Sequence, residues 1–183
     1  MKIIEELTYS LENYLKLEER NGVKHEYYNG KLLHIPVPTV FHNNTCLKLF
    51  HAIYNRLHPC GYQVNPGNAR VKIENEGIYL CPDVLVTKEL VQTVKNTVVY
   101  QPLLVAEVPV DSTRKYDYTD KFIQYRKNSS LRYYIILEPE KHVVFFYEKD
   151  ENGEWSAKTY TEVDEVISLP FFPAEFTLAD IYS

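Results

Sequence analysis

The stretch "LLVAEVPVDSTRKYDYTDKFIQYRK", Leu103 to Lys127, decides the fold. Alternate residues of a strand face opposite ways. Leu103, Val105 and Glu107 therefore share one face, and Leu104, Ala106 and Val108 the other. Both faces are apolar, which predicts a central strand covered on both sides. "YDYTDKFIQYRKN" then predicts a helix and "RYYIILE" a further strand. A strand, a helix and a strand in that order permit a parallel crossover. Glu107 is the anomaly. A lone ionised carboxylate inside such a strand is costly or shifts its pKa, unless it is paired or bound to a metal.

Working outward, "YLCPDVLVT" predicts a neighbouring apolar strand with Asp83 just after Pro82. Two acids on adjacent strands can converge on one cation. Mg²⁺ takes a few carboxylates, water and phosphate oxygens, and it supplies a hydroxide-like nucleophile while stabilising charge on a phosphate under attack. On the helix, Asp117, Lys121 and Tyr125 stack at i, i+4 and i+8. Lys121 can thus face the carboxylates and add positive charge. From the residues alone, three other readings stay open: a strand-end Asp capping a turn, Glu107 paired with Arg70 or Lys121 for structure, and a solvated helix face.

The N-terminal part predicts a helix in "TYSLENYLKLEERNG", capped by Thr8 or Ser10, with Leu11, Tyr14, Leu15 and Leu17 as its apolar stripe and Gly22 as its stop. Asn29-Gly30 is a two-residue hairpin signal. A second helix spans "FHNNTCLKLFHAIYNRLHP", with Leu47, Phe50, Ile53, Tyr54 and Leu57 at helical spacing and Pro59 at its end. "YQVNPGNARVKI" predicts two strand pieces around Pro66-Gly67. Downstream, "KHVVFFYEKD" and "DENGEWSAKTY" predict strands joined through Asn152-Gly153, and the tail a strand and a short terminal turn. The reading is one α+β domain over 1–183, with a core of about 10–182, a mixed sheet and helices gathered on one side.

The chain has 183 residues, enough for one sizeable core. Its 16 tyrosines suit a β-rich fold with a partly wet cleft. A net charge of −5 argues against coating nucleic acid over the whole surface, but not against a local basic cleft. Cys46, Cys60 and Cys81 are odd in number and form no C-x-x-C pair. They argue against a disulfide framework and a zinc site, and for thiols in a reducing cytoplasm. No apolar run approaches the roughly 20 residues that span a bilayer, and the acidic N-terminus does not read as a secretion signal.

The set "HEYYNGKLL", "FHNNTCLKL", "CPDVLV", "LLVAEVPVDST", "YDYTDKFIQYRK", "SLRYYIIL" and "LPFFPAEFTLADIYS" resembles the Uma-two family of restriction endonucleases, within the PD-(D/E)XK nuclease superfamily. The resemblance runs from about Ser10 to Tyr182 and implies a restriction-endonuclease-like mixed β-sheet core with flanking helices. It implies a Mg²⁺-dependent endodeoxyribonuclease, with Mn²⁺ able to substitute. Asp83 and Glu107 would be metal ligands, with the Val108 carbonyl as an extra one. Lys121 matches a lysine that has moved from the strand to the helix, and Tyr125 the aromatic one turn later. Glu26 would complete the acidic cluster, and His42 would touch phosphate or a water, against the simpler reading of a helix cap or packing residue.

Two departures stand out. Glu107 is followed by Val108 and Pro109, so the E-x-K lysine is absent, and Val110 stands where the family commonly has serine; Ser112 and Thr113 are retained. The expected partner is DNA, steered by Arg114, Lys115, Arg126 and Lys127, with a two-fold homodimer for cutting both strands. The alternative is a catalytically inactive nuclease-fold module binding nucleic acid or a protein. Phe145, Phe146, Phe171 and Phe172 read as core or as a dimer surface, with core preferred.

Overall fold

In chain order the elements begin with β1 (Ile3–Ile4), α1 (Leu11–Asn21), β2 (His25–Tyr28), β3 (Lys31–His34) and α2 (Val40–Leu57). A 3₁₀ turn (His58–Cys60) leads to β4 (Gln63–Pro66), β5 (Arg70–Lys72), β6 (Ile78–Leu80), β7 (Val84–Thr87), β8 (Val98–Val99) and β9 (Pro102–Glu107). The third helix has three parts: α3 (Arg114–Tyr116), a π-helical turn (Asp117–Lys121) and α4 (Phe122–Tyr125). β10 (Tyr133–Glu138), β11 (Val143–Lys149), β12 (Trp155–Tyr160), β13 (Val166–Leu169), β14 (Ala174–Thr177) and α5 (Ala179–Tyr182) complete the chain. The computed structural model describes residues 3–4, 8–21, 24–67, 69–88 and 98–182. The Gly22 helix stop expected from sequence lies outside them.

The larger sheet has the order β12-β11-β10-β9-β7-β4, and the second has β1-β3-β2-β6-β5-β8. β9 is central, as its two apolar faces predict, and it pairs parallel with β10 across the third helix. On one face of the larger sheet, Val84, Val86, Leu104, Ala106, Tyr133 and Ile135 pack with Leu49, Ile53 and Leu57 of α2. On the other, Leu85, Val105, Tyr134 and Ile136 pack with Tyr125 of α4 and with Val71, Ile78 and Leu80 of the second sheet. The helices therefore lie on both faces of the larger sheet, not on one.

Three further sequence expectations need correction. "YLCPDVLVT" is two strands, β6 and β7, in different sheets. Pro82 lacks the N–H a ladder requires, so the chain changes sheet at Cys81-Pro82-Asp83. Leu47 is 46% exposed, and Leu49 and Ala52 take its place in the core. The tail is a β13-β14 hairpin followed by α5, not a single strand and turn. Other expectations hold. Asn29 (φ 48°) and Gly30 (φ 98°) make the tight β2-β3 turn with both residues left-handed. Ser10 Oγ accepts from the Asn13 N–H at 3.2 Å, capping α1. Phe146 and Phe172 are buried as the core reading expects, whereas Phe171 departs from that reading and is exposed.

Candidate active site

The site forms where the chain crosses between sheets. β7 pairs antiparallel with β9, Val84 opposite Ala106, so Asp83 arrives beside Glu107. Asp83 Oδ2 accepts the Val108 N–H at 2.8 Å. Across the crossing, Glu26 of β2 is wholly buried. Its Oε1 accepts the Cys81 N–H at 3.3 Å, and its Oε2 accepts the Tyr116 hydroxyl.

Lys121 reaches into this group from the π-helical turn. Its Nζ lies 2.8 Å from Glu107 Oε2, 3.3 Å from Glu26 Oε1 and 3.6 Å from Asp117 Oδ1. It also donates to the Cys81 carbonyl at 3.2 Å. A π turn brings residues five apart into line, so Tyr116 and Lys121 both meet Glu26. π-Helical turns occur frequently at functional sites.

The electrostatics are those of a buried, acid-rich pocket. Burial pushes the Glu107 carboxyl well above the usual carboxylate range; Lys121 opposes this, and Asp83 and Asp117 add to it. Burial raises Asp117 too, against Lys121 and a 2.6 Å bond from Thr113 Oγ1. Burial also works against the Lys121 ammonium, but Glu107, Glu26 and Asp117 outweigh it and hold its pKa well above the lysine norm. Among the described residues, Glu107 Oε1 is buried without a hydrogen-bond partner. Such an orphaned acceptor is costly, and a cation is the group that would satisfy it. The acid-rich donor set and this orphaned oxygen fit a hard divalent ion.

A cavity of about 540 Å³ opens here, lined by Glu26, His42, Cys46, Asp83, Glu107 and Lys121 among others. His42 Nε2 is 3.5 Å from Asp83 Oδ2. Burial disfavours its imidazolium, but Asp83 outweighs this and raises its pKa. Among the residues expected from sequence, Glu26, His42, Asp83, Glu107, Val108 and Lys121 meet around this cavity. Tyr125 does not line it. It is fully buried in the core below, with its hydroxyl unpaired among the described residues. Arg70, an alternative partner for Glu107, pairs instead with Glu18.

Sequence reading missed Tyr116 and Cys46. Tyr116 carries no signal short of the π turn. Cys46 stands four residues after His42, a spacing that puts both on one helix face.

The expected steering residues are mostly engaged within the chain. Arg114 pairs with Glu138 and Asp111, and Lys127 with Glu76. Arg126 lies over the Phe122 and Trp155 rings. Lys115 is exposed. No helix among the described residues is long and apolar enough to cross a membrane.

This α+β core, with acids at a sheet crossing and a lysine on the adjoining helix, has a nuclease-like fold. It is similar to the crystal structure of a "putative nuclease belonging to DUF820" from Anabaena variabilis ATCC 29413, with a TM-score of 0.75 at 16% identity over 95% of this chain and 97% of that one. The profile of the Uma2 family, described as "Putative restriction endonuclease", matches residues 11–180, and the chain belongs to that family. Two Synechocystis sp. (strain ATCC 27184 / PCC 6803 / Kazusa) proteins are relatives. "Uncharacterized protein slr1290" is 29% identical over 94% of this chain and 90% of its own. "Uncharacterized protein sll1609" is 27% identical over 78% and 81%.

Proposed function

We propose that the protein is a divalent-metal-dependent endonuclease hydrolysing phosphodiester bonds in DNA. The observation that carries this reading is the orphaned, buried Glu107 Oε1 beside Asp83 on the cavity wall. Asp83, Glu107 and the Val108 carbonyl would hold Mg²⁺, with Mn²⁺ as a substitute. When bound, the ion supplies charge stabilisation for the attacked phosphate and lowers the pKa of its water. Lys121 holds its ammonium at the same point, and Glu26 fixes that ammonium from behind. His42 offers a proton donor at Asp83 toward a phosphate oxygen. Tyr125 would be a supporting residue through packing alone, since it is held in the core with no hydrogen bond to the site among the described residues. Lys115 is the accessible cation for the DNA backbone, with Arg114, Arg126 and Lys127 secondary. Cutting both strands calls for a two-fold pair of chains, which sedimentation tests, and the free thiols suit the cytoplasm.

One observation favours the second reading, a module that binds nucleic acid or protein without cleaving it. The Lys121 ammonium lies between Glu26 and Glu107, at 3.3 and 2.8 Å, and can itself balance their buried charge. The two readings separate in an assay of supercoiled and linear DNA with Mg²⁺, Mn²⁺ or EDTA, run beside Asp83→Ala and Glu107→Ala. Metal-dependent nicking that both substitutions remove is the expected result. Cleavage that survives either one excludes the assignment of these ligands.

A further inference from the structure

We propose that His42, Cys46 and Asp83 form a second cation site, for a borderline-soft divalent ion of the zinc type, on the α2 wall of the cavity. His42 and Cys46 are four residues apart near the start of α2, so their side chains lie one above the other. The turn that carries them is fixed by Thr39, whose Oγ1 accepts the His42 N–H at 3.1 Å. Asp83 enters from the sheet crossing. His42 Nε2 is 3.5 Å from Asp83 Oδ2 and 3.8 Å from Cys46 Sγ. One donor atom from each of the three lies within 4.8 Å of the others.

Ligands about 2.0–2.3 Å from a tetrahedral ion stand about 3.3–3.8 Å from each other. Two of the three separations already fall in that range, and the third, within 4.8 Å, closes on Zn²⁺ with a side-chain shift of up to about an ångström. Its nitrogen, sulfur and oxygen donors suit zinc and cobalt, whereas Mg²⁺ takes oxygen alone. This site is thus chemically distinct from the one Asp83 and Glu107 offer, although Asp83 belongs to both. On binding, the Cys46 thiol releases its proton to solvent as the metal–sulfur bond forms. Three protein ligands leave a fourth position open to the cavity. The absence of a C-x-x-C pair hides the site from a sequence reading. On the nuclease reading, a zinc ion here takes Asp83 from Mg²⁺ and stops cleavage.

The test is a Co²⁺ titration of the full chain followed by absorption. A near-ultraviolet thiolate-to-cobalt charge-transfer band saturating at one equivalent is expected, and Zn²⁺ should bleach it. Cys46→Ser should remove the band and weaken Zn²⁺ binding at least about 100-fold, the upper end of what even outer-shell partners command. Cys60→Ser, at an exposed position in the 3₁₀ turn beyond α2, should leave the band intact. Circular dichroism confirms that each variant is folded. Absence of the band from the parent chain, or its survival in Cys46→Ser, overturns the proposal. Zn²⁺ should also block Mg²⁺-dependent cleavage in the parent. A chain that cleaves nothing counts against the nuclease reading and leaves the cobalt result standing.

Discussion

Two buried ion clusters use the same ingredients to opposite ends. In the first, Glu18 is closed on every side. Its Oε2 accepts from Arg70 Nη2 at 2.7 Å and from the His25 N–H at 3.2 Å, while Oε1 faces His25 Nδ1 at 2.8 Å. In the second, Glu26, Glu107 and Asp117 share one Lys121 ammonium, and Glu107 Oε1 has no partner among the described residues. One carboxylate with several donors makes a structural clamp between α1 and the second sheet. Three carboxylates with one ammonium, beside a cavity, are the place where we propose that a cation binds. The difference lies in stoichiometry rather than burial, because both clusters are almost wholly enclosed.

The largest expected effect is on cleavage. Asp83→Ala and Glu107→Ala should each lower metal-dependent nicking at least about 100-fold, beyond the scale that outer-shell residues set, while the protein stays folded by circular dichroism. Next is Lys121→Met. It removes the ammonium from among three carboxylates and should cost about 3–5 kcal/mol in urea unfolding, the range for breaking a buried pair. Mn²⁺ should restore part of that loss, because it supplies the missing charge. Glu18→Gln should cost about 3 kcal/mol or somewhat less, since Arg70 keeps its bond to Tyr14 at 3.0 Å, and Mn²⁺ should restore none of it. Equal rescue of both variants would erase the distinction between the clusters.

The smallest effect belongs to an exposed pair. Asp180 accepts the Thr177 N–H at 2.7 Å and pairs with Arg56 at 2.8 Å, joining α5 to α2. The Thr177 bond, with Arg56 adding, holds its carboxyl below the ordinary aspartate value of 3.8. A lowered folded-state pKa contributes stability that is complete above the unfolded value and fades as pH falls through the lowered one. Asp180→Asn should therefore cost less than about 1 kcal/mol at neutral pH. It should also flatten the stability curve below the ordinary aspartate value, as unfolding at stepped acid pH would report.

The sequence revealed the parts of this architecture whose signal is local. β9 shows its two apolar faces, Asn29-Gly30 its turn, and Glu107 and Asp83 their unsuitability for apolar strands. The rest depends on pairing between distant segments. Glu26 joins the cluster only because β2 lies beside β6, at the point where Pro82 sends the chain into the other sheet. The π turn that aligns Tyr116 with Lys121 has no residue signature, since an ordinary α-helix fits the same apolar spacing. Leu47 misled because an apolar residue at helical spacing says nothing about which flank of α2 meets β4 and β7.

The measurement that tests this account most directly is a calorimetric titration with Mn²⁺ on three proteins: the parent chain, Glu107→Gln and Glu18→Gln. The account predicts binding by the parent, loss of that binding in Glu107→Gln and its retention in Glu18→Gln. No binding by the folded parent, or equal binding by all three, would contradict it and leave Glu107 and Lys121 as a structural ion pair.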